Sequence, residues 1–287
     1  MARIRRARPT RLYLVQDGPR PGVPGDEALV EITRNVAEDV DWECEVVPVY
    51  SDTNLGLRER VVTGLDRVFS EVESAIILED DCVADDSFFA FCDDMLERYA
   101  DNEMVGTVSG NNFLRGRFVS EHSYFFSPDV RIWGWATWRR VWQDFSREGL
   151  THEWSQDEAS RVLAGFPSPS RRRALVSMAR DSHKVNSWAL PFVLHAQRRK
   201  HLSVVPEVNL VTNIGFGSSS THTRFESFTD EIPTRRLEFP LRHPDVVVRN
   251  DEAGKIENSL HRKIWVTFPL LHPLSFLGRV IRYVFAR

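Results

Sequence analysis

The stretch Ala75-Ile76-Ile77-Leu78-Glu79-Asp80-Asp81-Cys82 constrains the fold more than any other, because an uninterrupted apolar run ends in three consecutive carboxylates. A short apolar run with helical patterns before and after it reads as a strand covered on both faces of a parallel sheet. Ligands of such sheets gather beyond the carboxyl ends of the strands. Three adjacent carboxylates there repel one another and lose hydration, so a hard divalent cation, magnesium or manganese, is the natural compensating charge. A metal held by few protein carboxylates completes its shell with water and substrate phosphate. The spacing alone fits a solvated acidic turn equally well, with Asp85 and Asp86 capping the helix that follows.

Length and composition narrow the partners. A chain of 287 residues with 42% hydrophobic content can build one large α/β domain, or a core plus a smaller lobe. The formal net charge of −4 gives no electrostatic reason to expect nucleic acid, and no nucleic-acid motif is present, so that partner is set aside. Cys44, Cys82 and Cys92 are odd in number and lack metal-ligand spacing, which suits reduced thiols of a cytoplasmic protein. Neither a long apolar span nor a signal-like apolar N-terminus is found, so a cytoplasmic location is expected.

Arg11 to Val15 reads as a strand ending in the turn Gln16-Asp17-Gly18-Pro19. Asp17 sits where that strand ends, as a turn former or as an acceptor for a nucleotide base. Leu29, Ile32, Val36 and Val40 recur at helical spacing, and Cys44 to Tyr50 alternates as a strand. A second stripe, Leu57, Val61, Val62, Leu65, Val68 and Phe69, gives a helix running into the acidic strand. Phe88, Phe91, Met95, Leu96 and Tyr99 line a further helix, and Met104 to Val108 a further strand. Strand and helix alternate, so a mostly parallel sheet with helices on both faces is expected. The segment Arg131 to Trp142 concentrates tryptophans, including Trp133 and Trp135, whose rings either stack on sugars or are buried at a domain joint.

Together, Gln16-Asp17-Gly18-Pro19-Arg20, Asn54-Leu55-Gly56-Leu57, Leu78-Glu79-Asp80-Asp81-Cys82, Trp133-Gly134-Trp135-Ala136-Thr137-Trp138 and Asn209-Leu210-Val211-Thr212-Asn213-Ile214-Gly215-Phe216-Gly217, followed by Thr221-His222-Thr223, form an ordered set of motifs. In that set the chain resembles a bacterial family of nucleotide-diphospho-sugar transferases, some members of which carry the label hemolytic protein HlpA-like. The family is distantly similar to the N-acetylglucosaminyltransferase I type within the Rossmann-like GT-A fold.

The resemblance covers about Arg11 to Thr223 and implies a metal-dependent glycosyltransferase, moving a sugar from a nucleotide-diphosphate donor to a carbohydrate or lipid-linked hydroxyl acceptor. It places Asp81 on the metal, Glu79 and Asp80 near ribose and diphosphate, and Asp17 near the base. His222 lies in a glycine- and serine-rich loop that related enzymes use as a lid, where it bonds phosphate or packs within the loop. Trp133, Trp135 and Trp188 fall on the acceptor side. Residues 1–225 form the catalytic domain on this reading, with a nucleotide-binding half about 11–112 and an acceptor half about 113–225, and 226–287 form an extension.

Two departures stand out. Family members place an acid beside the tryptophan corresponding to Trp188 to deprotonate the acceptor, whereas Asn186, Ser187, Ala189 and Leu190 surround it here. Asp181 and Glu207 are the nearest acids in sequence and the substitutes for that base, each otherwise a helix-end or solvent-facing charge. The opening strand of such a fold is also missing, since Arg11 already begins the second strand. A start lost to a misplaced initiation codon is the expectation. A non-catalytic sugar-nucleotide binder and a metal-dependent phosphoryl-transfer enzyme are the alternatives. Residues 268–287 interleave apolar positions with Arg279, Arg282 and Arg287 and read as a basic amphipathic segment, for peripheral membrane contact or for packing on the domain.

Overall fold

In the computed structural model the described residues are 1–166, 169–215 and 232–260. A short helix α1 (Ala2–Ala7) precedes β1 (Arg11–Gln16), α2 (Asp26–Glu38), β2 (Glu45–Tyr50), α3 (Leu57–Glu71), β3 (Ser74–Ile77), β4 (Cys82–Ala84), α4 (Ser87–Arg98) and β5 (Val105–Ser109). There follow β6 (Tyr124–Ser127), β7 (Trp135–Trp138), α5 (Arg139–Asp144), α6 (Gln156–Val162), α7 (Pro169–Arg180), α8 (Ala189–Arg199), β8 (Leu202–Pro206) and β9 (Val211–Asn213). Alternation of strand and helix through β5 agrees with the sequence pattern.

The main sheet is mixed, with strand order β3-β7-β5-β8-β6. β5 and β8 are parallel, while β7 is antiparallel to both β3 and β5, and β6 is antiparallel to β8. β3, β5 and β8 therefore run one way, and the expected parallel order is interrupted by β7. That strand is the tryptophan segment, and its sequence pattern carries no information about the direction of its neighbours. A separate ribbon pairs β1 with β2 in parallel.

Helix α3 contacts both β1 and β3, although the two strands belong to different sheets. Each has a single paired edge among the described residues. Packing between α3 and β1 is tight, since a Cβ on Gly64 would meet Val15 Cγ1 at 2.4 Å. The apolar stripe of α2 does not enter the core: Leu29, Ile32 and Val36 are 62%, 58% and 62% exposed. No described element covers it.

The core lies between the main sheet and its helices. Phe69, Phe88, Phe91, Trp135, Trp142, Phe145 and Phe192 are essentially inaccessible. Full burial of each such ring is worth roughly 1.5–3 kcal/mol. The residues 232–260 join this body, because Leu237 enters the core, Leu237 N–H donates to Ser87 Oγ at 3.0 Å, and Asn250 N–H donates to Phe126 O at 2.8 Å.

Candidate functional site

The acidic triplet occupies the turn between β3 and β4, at the carboxyl edge of the main sheet. Cys82 N–H donates to Glu79 O at 3.1 Å and closes the turn. The segment after β8 crosses this edge: Leu210 and Val211 N–H both donate to Gly110 O, at 2.8 and 3.1 Å, and β9 then pairs with β4. Ile214 N–H donates to Asp81 O at 2.8 Å. A Cβ on Gly215 would stand 2.2 Å from Asp81 Oδ2, so a larger residue here would have to displace that carboxylate.

Ligand atoms of Glu79, Asp81 and Cys82 lie within 4.8 Å of one another, and this group could hold a metal ion. Glu79 and Asp81 are half-buried and Asp80 is exposed. Burial, then the charges of Asp81 and Asp80, push the Glu79 carboxyl up to about 7. The Cys82 thiol is pushed up to about 12, chiefly by burial. It is therefore neutral near pH 7 and a poor ligand for a hard cation, which leaves oxygen donors to carry the site.

Asp17 performs a definite structural task. Its Oδ1 accepts from Gly18 N–H and Leu55 N–H at 2.9 and 2.8 Å, and its Oδ2 accepts from Gly56 N–H at 2.8 Å. These bonds tie the turn after β1 to Leu55 and Gly56, the two residues that lead into α3, and set a carboxylate near that helix's N-terminus. Gly56, with φ 80°, makes the entry to that helix possible. Asn54 Nδ2 adds a bond to Gly18 O at 3.1 Å.

Arg60, one turn further along α3, escaped the sequence analysis. It is 8% exposed, and among the described residues its Nε has no hydrogen-bond partner and its guanidinium no ion pair. Burial lowers the guanidinium's affinity for its proton, while the charge of Asp17 acts in the opposite sense. Its position on the same face as Leu57, Val61, Gly64 and Val68 was the available signal, because an arginine in an apolar stripe is either snorkelling or waiting for an anion.

No family model matches the chain, and no curated protein matches it.

The tryptophans divide. Trp135 is wholly buried and Trp188 is 2% exposed, with ring centroids 5.8 Å apart in a stacked pair inside the core. Both are packed within the core, and neither ring is open at the surface. Trp133 is half-buried against Phe113, with centroids 5.5 Å apart.

Asp181 stands at the end of α7 and pairs with Lys184 at 2.7 Å. Glu207 follows β8 and lies 3.6 Å from Arg242. Three strand spacings separate β8 from β3, so Glu207 is roughly 14 Å across the sheet from the acidic turn. Asn186, beside Trp188, lines a cavity of about 270 Å³ with Leu55, Arg58 and Glu59 at the start of α3. Glu59 is the carboxylate that the fold brings to Asn186. His222 and residues 268–287 lie outside the described residues. No helix among the described residues is long and apolar enough to cross a membrane.

Proposed function

We propose that the chain is a metal-dependent glycosyltransferase of GT-A type, transferring a sugar from a nucleotide-diphosphate donor to a hydroxyl acceptor of a surface polysaccharide or glycolipid. The observation that carries this reading is the grouping of Glu79, Asp81 and Cys82 at the carboxyl edge of β3, with ligand atoms within 4.8 Å of one another. Burial, and then the charges of Asp81 and Asp80, raise the Glu79 carboxyl to about 7, a cost that a shared divalent cation would relieve. Ligand atoms within 4.8 Å of one another are near enough to share one magnesium or manganese ion. The donor set therefore fits such an ion, with Asp81 and Glu79 as its protein ligands. Bound there, a divalent cation supplies charge neutralisation for a diphosphate leaving group.

The chain's own residues do the rest. Asp17 fixes the turn after β1 against the entry to α3, and its carboxylate retains acceptor capacity toward a base. Arg60 presents a buried positive charge with no ion pair among the described residues and within the electrostatic reach of Asp17, suited to an anionic part of the nucleotide. Gly215 admits the backbone against Asp81. The ordered motifs from Gln16 to Thr223 support the same reading by resemblance.

The test is a thermal-shift series with nucleoside diphosphates, with and without manganese. Stabilisation that requires both is expected, and at a hundredfold excess over Kd it amounts to about 2.7 kcal/mol. Asp81→Asn should remove it while leaving the unliganded melting curve in place. Unchanged manganese-dependent stabilisation in that variant would refute the assignment.

A second reading, binding without turnover, is favoured by the position of the acids that might replace the missing base. Asp181 is paired with Lys184, and Glu207 sits far along the sheet. Tight donor binding with no donor consumed in the presence of any acceptor would establish it over catalysis.

A further inference from the structure

Helix α7 reads Pro-Ser-Arg-Arg-Arg-Ala-Leu-Val-Ser-Met-Ala-Arg: 12 residues with four arginines and no acid. Such a concentration is unexpected in a chain whose net charge is −4. One of the four is accounted for, because Arg171 turns inward to Asp129 at 2.6 Å and to Asn258 at 3.1 Å, and lies over Phe166. The other three border a cleft of about 280 Å³ between α7 and α6.

Arg172, Arg173 and Arg180 form one side of this cleft, Gln156 and Ser160 the other, and Val176 an apolar wall. Residues 173 and 180 are two helical turns apart and so share a face. The guanidinium contacts are weak and neutral: Arg180 Nη1 donates to Gln156 Oε1 at 3.2 Å, and Arg172 Nη1 to Ala164 O at 3.5 Å. Arg173 has no hydrogen bond or ion pair with the described residues. No carboxylate lines the cleft among the described residues. Of the acids nearby, Asp181 pairs with Lys184 and Glu158 with His152 and Arg198, while Asp157 of α6 is exposed and does not line the cleft.

Three guanidinium groups brought to one cleft repel one another unless an anion joins them. An ordinary solvated helix face intersperses both signs, which lowers that repulsion. The cleft is at the small end of ligand cavities, so it suits one charged group of a larger molecule. A carboxylate has two oxygens, enough for one guanidinium fork, whereas a phosphate or diphosphate can accept from several forks at once. Gln156 and Ser160 add neutral hydrogen-bonding groups opposite the arginines.

We propose that the cleft between α6 and α7 is an anion-binding site for a phosphate or diphosphate group, separate from the acidic turn after β3. The proposal does not depend on the glycosyltransferase reading. The two sites are also told apart by metal, because the arginine cleft needs none.

The full chain in EDTA is titrated calorimetrically with inorganic pyrophosphate, alongside the double variant Arg173→Gln/Arg180→Gln and the charge-preserving Arg173→Lys/Arg180→Lys. Saturable binding by the natural chain is expected, weakened about tenfold by the glutamine pair, less by the lysine pair, and further by added salt. Melting curves of the variants confirm that these largely exposed changes leave the fold intact. Absence of saturable binding to the natural chain, or equal affinity in the glutamine variant, overturns the proposal. Two further arms identify the source of the group: a soluble sugar phosphate, and vesicles carrying a polyprenyl-diphosphate lipid. Arginine-dependent binding in either arm supports the site and names its carrier, and binding in neither overturns it.

Discussion

Arg60→Met separates a residue kept for its fold from one kept for its ligand. Methionine preserves most of the apolar stem that packs within the α3 face and removes the charged head. Arg60 as a whole is 8% exposed, and its buried Nε has no partner among the described residues. A buried donor without a partner costs about 1–3 kcal/mol, and the attraction of Asp17 recovers part of that. The variant should therefore be more stable than the natural chain by about 1 kcal/mol, or roughly 2–4 °C in Tm for a chain of this size. At the same time its affinity for a nucleoside diphosphate in manganese should fall by about tenfold or more, the value of one charge-assisted hydrogen bond. Differential scanning calorimetry and calorimetric titration read the two effects on the same sample. A variant that is less stable and binds nucleotide normally would show that Arg60 is a packing residue and that the charge has no ligand.

Glu79→Gln gives the pH dependence. The Glu79 carboxyl is raised from 4.5 to about 7, so the fold tolerates its protonated form and is progressively destabilised as pH rises from 4.5 to about 7. In EDTA the glutamine variant should match the natural chain near pH 4 and exceed it by about 2 kcal/mol above pH 7, after discounting for partial exposure. Equal differences at both pH values would exclude this charge as the cause. Glu257→Ala would leave Arg131 buried without its 2.6 Å partner. A loss of about 3–5 kcal/mol is expected in chemical denaturation, with a loss below 1 kcal/mol showing that water reaches the pair.

Much of the first half of the fold was legible because its elements are local. Arg11–Gln16, Asp26–Glu38, Glu45–Tyr50, Leu57–Glu71 and Ser74–Ile77 fall where periodicity of two or near four residues put them. Trp135–Trp138 was not legible as a strand, for a physical reason. The strand is buried on both faces between β3 and β5, so it has no alternation, and its aromatic content resembles a binding surface as much as a core. Its insertion also made the sheet mixed, a fact held in contacts between residues 60 positions apart. At the site, the acids could be found from charge density alone. The part played by Asp17 in holding Leu55 and Gly56 could not, since it joins residues 38 and 39 positions apart through side-chain bonds. Arg60 was visible as a breach in a stripe, but only burial shows that its charge is unanswered.

The ribbon of β1 and β2 has a consequence for how the molecule opens. Two strands by themselves are marginal in water, and this pair is joined to the main sheet through α3, with no ladder to β3 among the described residues. None of its strand residues is fully buried, whereas β5, β6 and β7 are buried throughout. Amide protons of Leu12 to Gln16 should therefore exchange with solvent deuterium by a sub-global opening that leaves Val105 to Ser109 protected. Since Asp17 follows β1 and holds the entry to α3, that opening releases the Asp17 turn while the acidic turn keeps its shape. A nucleotide held at Asp17 would then be recorded far from the acids, as slowed exchange along the ribbon.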